Sequence, residues 1–314
     1  MLRAALITIA LVAAAAPGAD ADDGTIRAFV GIPPAQYVVD RIGGSHVATE
    51  VLVPPGQSPH SFDATPRQMV ALAESRVYFA IGLPFERELL EGIEELNPNL
   101  VVVDMGRGVA RRPLGGRDDE ETGRPAHEHG GDEDGYPPHG HRDGDDAAGL
   151  SDPHIWLAPR PLGLQAANVC EALTDLDPAH AAEYRANLEA LRADLSDLDH
   201  GLAETLAPLR GRTVYVFHPA FGYFTDAYGL TQVAVETGGS EPSARELAEL
   251  IERAGEDGVR VIFVQPQFSA KSAEAVAREI GGVVVPIDPL AYDAAANLRT
   301  MAERIRAALA PDEH

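Results

Sequence analysis

Short β-rich runs alternate with amphipathic stretches along most of the chain. In the first hundred residues the runs are "IRAFV" (26–30), "TEVLV" (49–53), "RVYFAI" (76–81) and "LVVVD" (100–104). Helical patterns such as "PAQYVVDRIGG" and "TPRQMVALAES" lie between several of them. The plan recurs after residue 211, where "TVYVF", "TQVAV", "VIFV" and "VVVPI" alternate with "SARELAELIERAG", "SAKSAEAVAREIG" and "AAANLRTMAERIRAAL". Alternation of this kind predicts a parallel sheet flanked by helices, here twice over, with Gly and Pro marking the boundaries.

Between the two halves the period changes. Tyr184, Leu188, Leu191, Leu195, Leu198, Leu202 and Leu206 recur at spacings of three and four, the stripe of an amphipathic helix. Asp177-Pro178 reads as its N-cap and first helical position, and Pro208 and Gly211 end it. The fold class is therefore α/β: two lobes, each a parallel sheet flanked by helices, joined by one long rigid connecting helix. The implied division is an N-terminal lobe over 22–176, the connector over 177–210 and a C-terminal lobe over 211–314. A coiled-coil partner for the stripe is the alternative; packing on the chain's own lobes is the plainer reading.

Residues 1–21 fit neither lobe. A basic start, an apolar stretch from Ala4 to Pro17 and an A-x-A-like site at Ala19-Asp20-Ala21 read as an export signal peptide. The apolar stretch is short for a bilayer, so a soluble, exported and most simply periplasmic protein is expected. The only cysteine, Cys170, lies far from that site, so it is neither a lipid-attachment residue nor half of a disulfide. It reads as a buried helix residue in "AANVCEAL". The net charge of −24, with a single lysine at Lys271, excludes a nucleic-acid partner and is compatible with cationic ligands.

Part of the charge lies in one insertion. Residues 117–146 lack apolar periodicity and contain eleven acidic residues and four histidines, His127, His129, His139 and His141, arriving as two H-x-H pairs. The composition predicts a disordered loop, either a solvated spacer or a weak secondary metal-collecting segment.

Other histidines stand where strands end, and open α/β sheets bind ligands beyond the carboxyl ends of their strands. His218 follows "TVYVF", Asp288 follows "VVVPI", His60 lies on the loop leaving "TEVLV", and His154 follows the acidic insertion in "SDPHIWLAP". Three imidazoles and one carboxylate, two from each lobe, form a ligand set suited to tetrahedral Zn²⁺. Taken alone, Asp288 also reads as a turn former before Pro289. Asp152 is a candidate orienter of His154, with a simple turn role before Pro153 as the alternative. His46, His180, His200 and His314 read as solvated.

With those residues in view, "SPHSFDATPRQM", "DPHIWLAP", "FHPAFGYFTDAYGL" and "PIDPLAYD" resemble the signature stretches of the cluster A-I metal-binding receptors of ABC transporters, in particular the zinc-uptake type. The likeness covers essentially the whole mature chain. It implies two α/β lobes around a long helix, Zn²⁺ in the cleft on His60, His154 and His218, and Asp288 or a water as fourth ligand. It further implies delivery to a permease in the inner membrane by a monomeric receptor, with periplasmic zinc chaperones as possible further partners. Manganese receptors of similar sequence tend to have glutamate where His218 stands, and imidazole favours zinc. The cysteine pair that some zinc receptors use as a disulfide is missing.

Competing readings are a manganese or iron receptor of the same fold, a periplasmic zinc buffer or chaperone, a surface adhesin, and a zinc hydrolase. The last would need a base, for which Glu236 and Glu241 are candidates, and the chain has no H-E-x-x-H motif. A non-enzymatic role is expected.

Overall fold

The computed structural model describes residues 24–114, 151–235, 244–268 and 270–309. The N-terminal lobe contains β1 (Ile26–Val30), α1 (Pro33–Gly43), β2 (Val47–Val51), α2 (Pro66–Ala73), β3 (Val77–Ala80), α3 (Pro84–Glu94), β4 (Val101–Asp104) and α4 (Pro159–Leu176). Its four strands are all parallel, in the order β2-β1-β3-β4. Proline opens all four of these helices, a position where its missing N–H costs nothing. Thr65 and Gln68 add a reciprocal capping box to α2.

The C-terminal lobe repeats this topology. It contains β5 (Thr213–Val216), α6 (Gly222–Tyr228), β6 (Thr231–Ala234), α7 (Ala244–Glu256), β7 (Val261–Val264), α8 (Ala270–Glu279), β8 (Val283–Pro286) and α9 (Ala294–Leu309). The order β6-β5-β7-β8 is again fully parallel. Central strand β7 is buried at every position, whereas the edge strand β4 is largely exposed and the edge strand β8 is exposed at both ends. Both outcomes follow from helices covering the two faces of a parallel sheet but not its edges.

The connector is α5 (Ala181–Leu206), flanked by single 3-10 turns at Pro178–His180 and Ala207–Leu209. At 1.5 Å per residue α5 is about 39 Å long. All seven residues of the predicted stripe are buried. The helix packs on α1 and α4 of one lobe and on α9 of the other. Asp177 holds the expected N-cap position, with Pro178 following it, but its side chain caps no backbone amide. Its carboxylate bonds His180 Nδ1 (2.6 Å) and accepts from the Tyr184 hydroxyl (2.7 Å), fixing side chains of the first turn rather than a backbone amide. Cys170 is buried on α4, as expected.

The second strand also differs from its sequence reading, occupying 47–51 rather than 49–53. Its partner β1 ends at Val30, which pairs with Val51. Leu52 and Val53 stay buried past the strand end, donating to the carbonyls of Val30 and Gly31 at 3.0 Å each.

One continuous apolar core runs from β1 of the first lobe through the α5 stripe to α9 of the second. Two further bonds join the lobes directly: Trp156 Nε1 donates to the Pro289 carbonyl (2.7 Å), and the Tyr292 hydroxyl donates to Asp40 Oδ2 (2.8 Å). A wide hinge would have to open that shared core. Solution scattering is therefore expected to give the same radius of gyration with and without zinc; a large contraction on adding metal would contradict a rigid connector.

Candidate metal centre

His60 sits on a 3-10 turn, Pro59–Ser61, between β2 and α2. Ser58 Oγ accepts its backbone N–H at 3.2 Å. Phe62 packs edge-on against Phe85 at 5.2 Å, docking that turn on α3. His154 directly precedes a second 3-10 turn, Ile155–Leu157. His218 lies two residues beyond β5, where the side chain of Gln265 clamps its backbone, accepting from its N–H (3.1 Å) and donating to its carbonyl (3.0 Å). The His218 ring stacks on Phe268 with centroids 4.9 Å apart.

These segments bring three imidazoles to one point. His218 Nε2 is 3.1 Å from His60 Nε2 and 3.3 Å from His154 Nε2. Zn–N bonds of 2.0–2.1 Å in a tetrahedron space their nitrogens about 3.3–3.4 Å apart. His154 and His218 are buried and His60 is exposed. Among the described residues, these three alone form a group whose ligand atoms all lie within 4.8 Å of one another. The cavity they line, with Trp156, Gln267 and Phe268, holds about 20 Å³. That is room for about one water-sized particle.

The candidate orienter of His154 is in place. Asp152 Oδ1 accepts from both the His154 backbone N–H (2.9 Å) and Nδ1 (2.7 Å), which leaves the lone pair on Nε2, facing the other imidazoles. Burial pushes the Asp152 carboxyl up, but the hydrogen bonds from His154 and Arg112 outweigh it, holding the carboxyl below its ordinary range. It is thus ionised and able to fix that tautomer.

Asp288 stands two residues beyond β8, outside the three-histidine group. Its Oδ1 accepts from Gln267 Nε2 (2.7 Å) and the Leu290 N–H (2.9 Å), and its carbonyl accepts from Asn297 Nδ2 (2.6 Å). Gln265 and Phe268 thus serve His218 while Gln267 serves Asp288, and none of the three is among the residues singled out from the sequence. Their one signal was position: "QPQF" leaves the carboxyl end of the buried strand "VIFV", where ligands bind. His127, His129, His139, His141, Glu236, Glu241 and His314 lie outside the described residues. His46 and His180, read as solvated, stack on each other at 3.8 Å and each bonds a carboxylate, Glu183 and Asp177 respectively.

Comparison with known proteins follows the same line. The model of the family described as "ZnuA: Zinc-uptake complex component A periplasmic" matches residues 29–310. The chain is 27% identical over 265 residues to the high-affinity zinc uptake system protein ZnuA of Yersinia pestis, covering 82% of this chain and 81% of that one. It is 29% identical over 257 residues to the protein of the same name from Paracoccus denitrificans, covering 80% and 79%. A crystal structure of ZnuA superposes with a TM-score of 0.79 at 37% identity, covering 90% of this chain and 99% of the other. The periplasmic zinc-binding protein TroA from Treponema pallidum shares the fold, with a TM-score of 0.74 at 21% identity over 92% of this chain and all of that one.

Proposed function

We propose, on the premise that this chain belongs to the family of periplasmic zinc-uptake complex components A, that His60, His154 and His218 hold one Zn²⁺ as cargo for an ABC transporter. The observation that carries the reading is the convergence of three Nε2 atoms, at zinc-like spacing, on an ion-sized cavity between the lobes. Three imidazoles with no thiolate suit a reversible zinc site, and they disfavour Mn²⁺, which prefers oxygen donors. Asp288 or a water completes the tetrahedron. The cavity of about 20 Å³ has room for an ion.

Among the described residues no helix is long and apolar enough to cross a membrane. The mature receptor would work as a periplasmic monomer, passing zinc to an inner-membrane permease and taking it from the medium or from zinc chaperones. The histidine pairs of residues 117–146 would add weak, reversible sites beside the tight one.

Metal content and stoichiometry after purification without added metal test the proposal. One tightly held zinc per chain, with weaker equivalents lost on deleting 117–146, is expected. Retention of the tight zinc in Asp288→Asn gives the fourth position to water. Manganese as the bound metal, or loss of the tight site on deleting the loop, would defeat the assignment.

A further inference from the structure

We infer that Arg112 is an inter-lobe positioning residue, holding the His154 side of the site in register with the helix that follows His218. The inference rests on the zinc reading above. Arg112 Nη1 donates to Asp152 Oδ2 at 2.7 Å, while its Nε donates to Asp226 Oδ2 at 3.0 Å. Asp152 divides its work: one oxygen takes Arg112 and the other takes both His154 donors. Asp226 lies on α6 of the opposite lobe, the helix that opens four residues after His218.

The surroundings of the guanidinium are built for it. It lies over the Tyr223 ring, 5.9 Å from its centroid, and the Tyr223 hydroxyl reaches back to the carbonyls of Ala110 (3.3 Å) and Asp152 (3.4 Å). Gly222 gives the guanidinium its space, since a methyl group there would overlap it. The glycine of "FHPAFGYF" thus has a steric reason. The Arg112 and Asp152 side chains are 11% and 0% exposed, so their pairing is poorly screened, while Asp226 sits at the rim, 46% exposed. Only a planar fork can point Nε and Nη1 at two carboxylates together; a lysine ammonium makes one such contact well. Movement of α6 against the first lobe therefore reaches the His154 imidazole through two ion pairs.

The test uses the full chain and Zn²⁺ itself, with affinity read by competition against a fluorescent chelator and apo-protein melting measured alongside. Arg112→Gln and Arg112→Lys are both expected to lose about tenfold in zinc affinity, the low end of the scale for losing a ligand's own outer partner, because Arg112 acts one contact further out through Asp152. Asp226→Asn, at the exposed end, should lose roughly two- to fivefold. Its effect should vanish in an Arg112→Gln background, and Arg112→Gln should add nothing to Asp152→Asn, because the residues act through one chain of contacts. Wild-type affinity in a folded Arg112→Lys, or full additivity of Asp226→Asn with Arg112→Gln, would overturn the inference. If Arg112→Gln does not fold, Arg112→Lys and Asp226→Asn decide it, since a merely structural arginine leaves zinc affinity unmoved in both. His218→Ala separates the two levels. Unchanged affinity there defeats the zinc site itself, whereas loss there with no effect at Arg112 and Asp226 defeats only the inter-lobe role.

Discussion

Replacing His218 with alanine is expected to weaken zinc binding by about two to three orders of magnitude without unfolding the chain. His218 is the hub of the cluster, the residue whose Nε2 lies within 3.1 Å and 3.3 Å of the other two. Structural zinc sites bind with about 10–16 kcal/mol across four ligands, so one ligand accounts for roughly 3–4 kcal/mol. Each 1.4 kcal/mol is about tenfold. The fold should survive because Gln265 grips the backbone of His218, not its imidazole. Chelator competition on wild type, His218→Ala and the exposed α5 control His200→Ala gives the answer. Equal affinities in all three would sink the site, and so would a loss in the control.

The largest stability effect should come from Glu86, which is 2% exposed at the start of α3. Its Oε2 accepts from the backbone N–H groups of Ile81 (3.1 Å), Gly82 (2.8 Å) and Leu83 (2.8 Å), and its Oε1 accepts from the Tyr78 hydroxyl (2.9 Å). Glu86→Ala strands these donors in the interior, at about 1–3 kcal/mol per unsatisfied group before relaxation. A loss of about 3–5 kcal/mol is expected. The damage should extend to the site, since α3 supports the His60 turn.

Glu86 also gives stability a pH dependence. Burial raises its carboxyl above the ordinary range, although the amides of Leu83, Gly82 and Ile81 and the Tyr78 hydroxyl pull it partly back. A raised folded-state pKa contributes stability that is fully present below the unfolded value of about 4.3 and is lost as pH rises through the folded value. Wild type should therefore lose ground to Glu86→Gln as pH climbs from about 4 toward neutral. Urea midpoints across that range check this. A gap that grows in favour of wild type with rising pH would contradict it.

The strands and the connector were legible because their signals are local. Short β-rich runs placed every described strand to within two residues at its start, and a period of three to four placed the leucine stripe residue by residue. The α3 helix has no counterpart in the sequence reading, although Phe85, Leu89 and Ile93 recur at helical spacing and pack against one small core of the lobe. The three histidines were legible from strand ends and motifs, and Asp152 from its place two residues before His154. Arg112, Gln265 and Phe268 were not, since their meaning depends on folding. Arg112 meets Asp152 across 40 positions and Gln265 meets His218 across 47. No spacing rule reaches that far.

On the proposed zinc reading, the uneven burial of the three imidazoles would also set a direction for ion exchange. Two are enclosed and one, His60, is exposed on a short turn. A departing ion would detach from His60 first while still held by His154 and His218, and an incoming donor would have its approach on that flank. Release would then proceed as a hand-over, with one outer ligand exchanged before the inner pair lets go, and the partner that takes the ion would need to address only the His60 turn.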